Sequence, residues 1–187
     1  MASKGGDRIM ELKNRSQYLD KLISVQDMEV IKVVTGIRRC GKSSLLKLMM
    51  AHLREQGVVE EQILSMNFES MQFADMDSKR LYQYVMERAP KGKRLYLFLD
   101  EVQKVRDWQD AVNSFRVDLD CDIYVTGSNS RMLSSELATY LTGRYVAFHV
   151  MTLSFREYLT FHDLQANDPT LNRTEEFQKY LCLGGFP

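Results

Sequence analysis

Cysteine is scarce in this sequence, and its three cysteines, Cys40, Cys121 and Cys182, are widely spaced. They form no C-x-x-C pair, so the sequence indicates neither a disulfide framework nor a zinc site, and we expect a reducing compartment. The formal net charge is zero, because 25 Lys and Arg residues balance 25 Asp and Glu residues. Composition therefore gives no electrostatic reason to expect a nucleic-acid partner or an anionic membrane.

Long apolar runs are absent as well. No segment approaches the roughly 20 apolar residues that cross a bilayer, and residues 1–7 lack the apolar stretch of a signal peptide. We therefore expect a cytoplasmic protein without a membrane partner. The 187 residues, of which 44% are hydrophobic and 27% charged, have an ordinary globular composition and can form one substantial core.

The most informative segment is residues 36–43, whose letters GIRRCGKS fit the pattern G-x-x-x-x-G-K-[ST] directly after a β-branched run at residues 30–35. Such a loop wraps backbone N–H groups around a phosphate chain, and the helix that follows presents its own unpaired N–H groups to the same anion. We predict that this loop binds a nucleoside triphosphate. The predicted nucleotide-binding residues of the loop are Gly36, Ile37, Arg38, Arg39, Cys40, Gly41, Lys42, Ser43 and Ser44.

We predict specific roles or properties for three side chains of this loop. Lys42 supplies positive charge to the β- and γ-phosphates and is predicted to be catalytic, and Ser43 offers a hydroxyl to Mg²⁺. Cys40 lies beside Lys42 at the start of a helix. This position favours a lowered pKa for the thiol, although a small residue that fills space is the simpler interpretation.

An acidic pair follows the most apolar strand of the sequence. Residues 95–99, LYLFL, have the continuous hydrophobicity of a central parallel strand, and Asp100 and Glu101 come directly after them. We predict that Asp100 binds Mg²⁺ and that Glu101 activates the water that attacks the γ-phosphate. The alternative is an acidic pair favoured by a helix N-terminus. Glu101 also disfavours a kinase, whose nucleophile comes from a second substrate.

The strand predicted at residues 121–127 ends in two polar residues, Ser128 and Asn129. The arrangement of these strands resembles that of the P-loop ATPases with an additional strand and a catalytic glutamate, in which a polar side chain at this strand end faces the γ-phosphate and senses it. Asn129 is the first candidate for this sensor and Ser128 the second. The alternative is that both residues cap the next helix.

Asn67 lies at the tip of the strand predicted at residues 63–68. It is a candidate to hold Glu101 by a hydrogen bond until a partner binds, with Glu69 as the alternative residue. The simpler interpretation is that Asn67 caps a turn.

The alternation of short strands and longer helices predicts an α/β fold, namely a P-loop NTPase three-layer α/β/α sandwich with a mainly parallel five-stranded sheet. Besides the helix after the loop, helices are predicted at residues 9–23, 78–88, 108–119, 130–141, 154–161 and 174–183, and a fifth strand at residues 145–150. We divide the chain into an N-terminal helical segment (1–27), an ATPase core (28–152) and C-terminal helices (153–187). The helices are expected to lead to a further domain outside this sequence.

Six segments read VVTGIRRCGKSSLL, LFLDEVQKVRDW, VTGSNS, LTGRY, MTLSFREYL and LGGFP. Together they resemble the prokaryotic AAA-type ATPases that carry an uncharacterised C-terminal domain. The resemblance implies an Mg²⁺-dependent ATPase of the additional-strand, catalytic-glutamate type, in which the strand at residues 121–127 lies between the loop strand and the acidic strand. It also implies a continuation after Pro187 that resembles a nuclease in some members. Asn129 departs from the family, in which Ser is more usual.

The resemblance also implies an arginine finger. AAA-type ATPases place an arginine at the end of the helix after the sensor, where it reaches the nucleotide of a neighbouring subunit and stabilises transition-state charge. Arg144 occupies that place in this sequence. Arg131 is the second candidate, and a surface ion pair is the simpler interpretation. The implied partner is a second copy of the chain.

These observations predict a chain that hydrolyses ATP with Mg²⁺ and drives or gates a downstream effector domain. The main alternative is an ATP-binding switch or scaffold with little hydrolysis of its own. Steady-state turnover with and without partners separates the two.

Overall fold

The structure is a computed structural model and describes residues 13–128, 143–165 and 168–187. Its strands are β1 (Ile31–Thr35), β2 (Ile63–Asn67), β3 (Leu95–Asp100), β4 (Cys121–Gly127) and β5 (Tyr145–His149). They form one five-stranded sheet in the order β2-β3-β4-β1-β5, and every neighbouring pair is parallel. The predicted parallel sheet is confirmed, and β4 lies between the loop strand β1 and the acidic strand β3.

The described helices are α1 (Ser16–Ile23), α2 (Lys42–Glu55), α3 (Ser78–Met86), α4 (Trp108–Asp118), α5 (Phe155–Phe161) and α6 (Arg173–Leu183). Short 3-10 helices occur at Glu60–Gln62, Met71–Phe73 and Val102–Lys104. The first helix is shorter in its described part than the prediction at residues 9–23, and the helix predicted at residues 130–141 lies outside the described residues. No helix in the described parts is long and apolar enough to cross a membrane.

The sheet is covered on both faces, which explains why its central strands are apolar without interruption. Successive side chains of a strand point to opposite faces. Val33 and Leu97 accordingly pack in one core cluster with side chains of α3 and α4, whereas Val34 and Phe98 pack in a second cluster with side chains of α1 and α2. The result is the predicted three-layer α/β/α sandwich.

All strands end at the same edge of the sheet, because parallel neighbours run in one direction. Thr35 is in register with Gly127 and His149, and Asn67 with Asp100. We call this the carboxyl edge and the opposite one, where the strands begin, the amino edge. Open α/β sheets bind ligands outside the carboxyl ends of their strands.

A buried ion pair lies near the amino edge. The fully buried Lys32 pairs with Asp122 and also donates to the carbonyl oxygen of Met28 at 2.8 Å. The second carboxylate oxygen of Asp122 accepts from the Tyr124 hydroxyl and from the backbone N–H of Asp27, both at 2.9 Å. Burial, together with the charge of Asp122, raises the pKa of Tyr124. Both charges of this pair are therefore satisfied within the fold.

Candidate nucleotide-binding site

The loop between β1 and α2 depends on two glycines. A Cβ on Gly36 would lie 2.3 Å from the carbonyl oxygen of Val150 and 2.7 Å from the Cys40 sulfur, so only glycine fits there. Gly41 immediately precedes α2 and has a φ of 97°, which glycine adopts at little cost. The loop therefore leads directly into a helix N-terminus, whose first N–H groups have no partner within the helix.

Lys42 is the first residue of α2, and its ammonium group folds back over the loop. Its Nζ donates to the carbonyl oxygen of Ile37 at 3.2 Å and to the Ser128 hydroxyl at 3.0 Å. The same Nζ lies 3.6 Å from Glu101 Oε1, and only 3% of the Lys42 side chain is exposed. The structure thus brings together Lys42, Glu101 and Ser128, which the sequence analysis placed in the site from separate segments.

Asp100 ends β3, and the chain turns at Glu101, which has a φ of 56°. This left-handed conformation is uncommon for residues other than glycine and costs on the order of 1 kcal/mol. Thr126 of β4 stabilises the turn, because its hydroxyl donates to Asp100 Oδ1 at 2.5 Å and accepts from the Glu101 backbone N–H at 2.9 Å. Thr126 was not predicted from the sequence. The feature that could have indicated it is a hydroxyl on β4 two residues before Ser128, on the same strand as the sensor candidate.

The Glu101 carboxylate is held by neighbouring side chains. Ser128 Oγ lies 2.6 and 2.8 Å from its two oxygens, and Gln103 Nε2 donates to Oε2 at 2.6 Å. Burial works to raise the pKa of Glu101, but the hydrogen bonds from Ser128 and Gln103 and the charge of Lys42 outweigh it, so this pKa lies below its usual value. The carboxylate is ionised at neutral pH and can accept a proton. Gln103 was also missed, since nothing in its spacing distinguishes it.

Cys40 differs from the sequence-based expectation. Its side chain is fully buried, and burial raises the pKa of the thiol more than the nearby charges of Lys42 and Arg15 lower it. The predicted lowering of this pKa is therefore wrong. The sulfur belongs to the apolar cluster that contains Leu45 and Met49 of α2, so Cys40 fills space beneath the loop.

Asn67 does not hold Glu101 in this structure. Its Oδ1 accepts the backbone N–H of Glu69 at 2.8 Å, so the side chain stabilises the turn after β2. The hydrogen bonds to the Glu101 carboxylate come from Ser128 and Gln103 instead. The simpler interpretation of Asn67, as a turn-capping residue, agrees with this geometry.

Arg144 lies at the amino edge, away from the loop. It precedes β5, and its carbonyl oxygen accepts the backbone N–H of Ile31 at 2.9 Å. A parallel strand rises by roughly 3.3 Å per residue. Arg144 is exposed and is separated from the carboxyl edge by the whole length of β5. Its side chain is too short to reach the loop of its own chain, and its action on a neighbouring copy stays a prediction. The candidates Asn129 and Arg131 lie outside the described residues.

A cavity of about 750 Å³ opens over the loop and is within the size range of small-molecule sites. Glu101 and the C-terminal Phe186 and Pro187 contribute to its wall. Pro187 lies so close that its Cγ would be 3.5 Å from a Cβ on Gly41. The predicted loop residues that line the cavity are Arg38, Arg39, Gly41, Lys42, Ser43 and Ser44. Of the others, Gly36 and Cys40 support the loop from below, and Ile37 contributes its carbonyl oxygen to Lys42.

Two curated relatives are longer than this chain. A protein of Haemophilus influenzae, described as uncharacterized, is 40% identical over 177 residues, which cover 93% of this chain and 44% of the relative. A second uncharacterized protein, from Methanocaldococcus jannaschii, is 26% identical over 185 residues, which cover 95% of this chain and 40% of the relative. The chain therefore spans less than half the length of either relative.

Solved structures share the fold. A Walker-type ATPase of Pyrococcus abyssi aligns with a TM-score of 0.61 at 16% identity, covering 93% of this chain and 64% of that one. The ORC2 protein of Aeropyrum pernix, solved in ADPNP and ADP complexes, aligns with a TM-score of 0.56 at 15% identity, covering 88% of this chain and 54% of that one. At such identities the likeness concerns the fold alone, which is that of a P-loop ATPase.

A family model described as an AAA domain matches residues 29–159. The match begins just before β1 and ends within α5, so it includes the loop, the acidic pair and Ser128. It covers well over half of the chain. This chain belongs to the AAA domain family.

Proposed function

We propose that this chain binds ATP with Mg²⁺ and hydrolyses it. The observation that carries the proposal is the meeting of three side chains beside one cavity. Lys42 Nζ lies 3.0 Å from Ser128 Oγ and 3.6 Å from Glu101 Oε1, and Ser128 in turn contacts Glu101 at 2.6 Å. A phosphate-binding cation, a sensor hydroxyl and a carboxylate base are thus held in direct contact.

ATP binding is attributed to the loop and Lys42. In the structure, two of the Lys42 ammonium contacts are to neutral oxygens, the Ile37 carbonyl at 3.2 Å and the Ser128 hydroxyl at 3.0 Å. A charged phosphate oxygen forms a shorter and stronger hydrogen bond with an ammonium group than a neutral oxygen does. We therefore expect the β- and γ-phosphates to replace these partners when ATP enters the cavity.

The residues at the carboxyl edge fit Mg²⁺. Ser43 contributes a hydroxyl and Asp100 a carboxylate, and such hard oxygen ligands, completed by waters and substrate phosphates, suit this ion. Asp100 Oδ1 accepts a hydrogen bond from Thr126 at 2.5 Å, an outer contact of the kind that orients metal ligands. When bound, Mg²⁺ neutralises charge on the β- and γ-phosphates.

Glu101 is the proposed general base. Its carboxylate is ionised, lies next to Asp100 and lines the same cavity as Lys42. A positioned carboxylate that takes a proton from the attacking water accelerates hydrolysis by roughly 10² to 10⁴. Glu101 takes this proton on a lone pair of its carboxylate, and release of one of its present hydrogen bonds would leave that lone pair more open to the attacking water.

Ser128 is the proposed sensor of the γ-phosphate. Its single hydroxyl proton can be donated to only one acceptor at a time, and in the structure that acceptor is Glu101. Donation to a γ-phosphate oxygen would remove this proton from Glu101 and free the base. The contact between Lys42 and Ser128 supports this role, because the cation that attracts the phosphate already touches the sensor. Asn129 keeps its place as the other candidate.

An ATP-binding switch with little hydrolysis is the second candidate function. The observation that favours it is the full engagement of Glu101, which accepts from Ser128 and Gln103 and lies beside Lys42. If these contacts persist with ATP bound, the base stays blocked until a partner releases it.

We place this chain within a larger assembly. Because it spans less than half of each curated relative, a downstream domain that ATP hydrolysis drives or gates is part of the proposal. A second copy of the chain is the proposed partner, whose nucleotide Arg144 would contact. The proposed location is the cytoplasm.

Direct measurement of binding and turnover tests these proposals. Wild-type protein is titrated with a fluorescent ATP analogue in the presence of Mg²⁺, and phosphate release from ATP is followed under the same conditions. Saturable binding with steady-state phosphate release supports the ATPase. Binding without release supports the switch, and absence of binding contradicts both.

A further inference from the structure

Arg15 is a buried cation whose partners belong to three separate segments. Only 5% of its surface is exposed. Nη1 donates to the carbonyl oxygen of Cys40 in the loop at 2.9 Å and to that of Met151 after β5 at 3.0 Å. Nε donates at 2.8 Å to Glu157 of α5. One guanidinium group thus joins the N-terminal segment, the loop and the start of the C-terminal helices.

The hydrogen bond to Cys40 acts on a phosphate-binding amide. The peptide unit between Cys40 and Gly41 is planar and trans, so fixing the direction of the Cys40 carbonyl also fixes the direction of the Gly41 N–H. Glycine gives such a unit more rotational freedom than other residues do. Arg15 therefore restricts a peptide that would otherwise turn easily, in the loop proposed to bind the phosphates.

The other contacts of Arg15 belong to a connected C-terminal unit. Ser154 and Glu157 form a capping box at the start of α5. Leu153, just before it, donates its N–H to Gly185 and accepts from the Tyr180 hydroxyl at 2.7 Å, which ties α5 to α6 and to the end of the chain. A displacement at Glu157 would accordingly be felt by the C-terminal turn that lines the cavity.

We propose that Arg15 is a positioning residue that couples the conformation of the phosphate-binding loop to the position of α5 and α6. This inference rests on the proposed function, since it concerns how nucleotide binding at the loop is transmitted. Movement of the Cys40–Gly41 peptide on ATP binding changes the geometry of the Arg15 guanidinium. Glu157 and Met151 share that guanidinium, so the C-terminal helices respond.

Only arginine can make these contacts together. Its planar group presents five N–H donors in fixed directions, whereas lysine offers one compact ammonium group. Arg15→Lys keeps the charge but cannot bond Cys40 and Glu157 at once. Gln17→Ala is the matched control. The Gln17 side chain also donates to Glu157, at 3.0 Å, but among the described residues it makes no hydrogen bond to the loop.

Hydrogen exchange, measured with and without the non-hydrolysable analogue AMP-PNP and Mg²⁺, tests the coupling. In the wild type and in Gln17→Ala, the nucleotide should slow exchange of amides in residues 151–163 by about fivefold or more, the lower range of allosteric coupling. In Arg15→Lys, protection of residues 36–44 should remain while the effect on residues 151–163 disappears. Glu157→Ala removes the far partner of Arg15 and also the capping box of α5, so Ser154→Ala, which disrupts the capping box but keeps Glu157, is its control. Glu157→Ala should lose the effect on residues 151–163 in the same way, whereas Ser154→Ala should keep it. Glu157→Ala replaces Arg15→Lys if that variant does not fold.

Each outcome bears on a different claim. Unchanged nucleotide-dependent protection of residues 151–163 in Arg15→Lys or Glu157→Ala overturns the coupling and leaves the proposed function standing. Absence of AMP-PNP binding to the wild type overturns both.

Discussion

Two buried lysines near opposite edges of the same sheet have different surroundings. Lys32, near the amino edge, pairs directly with Asp122 and has no exposed surface. Lys42, at the carboxyl edge, lies 3.6 Å from Glu101, is hydrogen-bonded to neutral oxygens and lines a cavity of about 750 Å³. The ammonium group of Lys32 is fully paired within the fold. The ammonium group of Lys42 has neutral partners that a phosphate oxygen can replace.

This difference indicates that Lys32 serves the stability of the fold, whereas Lys42 is available to a ligand. A buried charge is costly unless it is paired, so both lysines must have partners in the folded chain. What distinguishes them is access, because a ligand can compete for Lys42 but cannot reach Lys32. The same substitution at the two positions should therefore have opposite consequences for binding and for stability.

The largest effect is expected for Lys42→Met. Loss of the ammonium group removes the charge that attracts the phosphates, so binding of the fluorescent ATP analogue should become undetectable. The free energy of unfolding should change far less than in the equivalent variant at Lys32. Isothermal titration and urea denaturation measure the two quantities, and retained ATP affinity would show that the loop is not the nucleotide site.

Lys32→Met should act on stability instead. It leaves Asp122 buried without its cationic partner, and breaking a buried pair in this way costs about 3 to 5 kcal/mol. Nucleotide affinity of the folded fraction should stay close to that of the wild type. A loss below about 1 kcal/mol in urea denaturation would mean that the ion pair near the amino edge contributes no more than a surface pair.

Arg144 tests whether a residue at the amino edge can also contribute to nucleotide hydrolysis. It lies at the amino edge of its own chain but is proposed to complete the site of a neighbour. Arg144→Ala should bind ATP and hydrolyse it roughly 10³- to 10⁵-fold more slowly, the range for an arginine finger, and mixing it with Lys42→Met should restore part of the turnover. This rescue follows because the Lys42→Met chain still donates Arg144 to an intact site.

Turnover per chain should also rise with protein concentration if Arg144 acts between copies. Concentration-independent turnover, with no rescue despite demonstrated co-assembly, would make Arg144 an ordinary surface residue.

The smallest effect concerns pH and the contact between Arg15 and Glu157. Burial works to raise the pKa of Glu157, but the hydrogen bonds from Arg15 and Ser154 lower it below its usual value. A carboxyl group with a lowered folded pKa stabilises the fold above its unfolded pKa, about 4.3 for Glu, and loses that contribution as the pH falls through the folded value. The stability advantage of the wild type over Glu157→Gln should therefore shrink between neutral and acidic pH.

Glu55→Gln provides the control for this measurement, because it removes a carboxylate from an exposed position and breaks no buried contact in the part of the chain that the structure describes. A difference between wild type and Glu157→Gln that does not vary with pH would contradict the assigned cause of the pKa shift.

Much of the fold followed from the sequence because its signals are local. The apolar run at residues 95–99 predicted a central strand, and β3 is buried along its whole length. The glycine pattern of the loop predicted the turn between β1 and α2. The position of β4 between β1 and β3 was also predicted, but from the resemblance to a family and not from any single segment.

Two of the residues that were missed, Thr126 and Arg15, depend on contacts between distant segments. Thr126 orients Asp100 and Glu101 across two strands, and Arg15 reaches Cys40 and Glu157 from a segment that carries no recognisable motif. The error on the Cys40 pKa has the same origin. Neighbouring charges are visible in the sequence, whereas the burial that outweighs them is a property of the fold.

Phosphate release by Glu101→Gln tests the central claim most directly. The substitution keeps the shape of the side chain but removes the base, so ATP should bind with nearly unchanged affinity while turnover falls by roughly 10² to 10⁴. Glu69→Gln is the matched control, because Glu69 lines the same cavity but pairs with the exposed Arg38. We expect a large loss of turnover in Glu101→Gln and no comparable loss in Glu69→Gln. Equal turnover in the wild type and Glu101→Gln would contradict it.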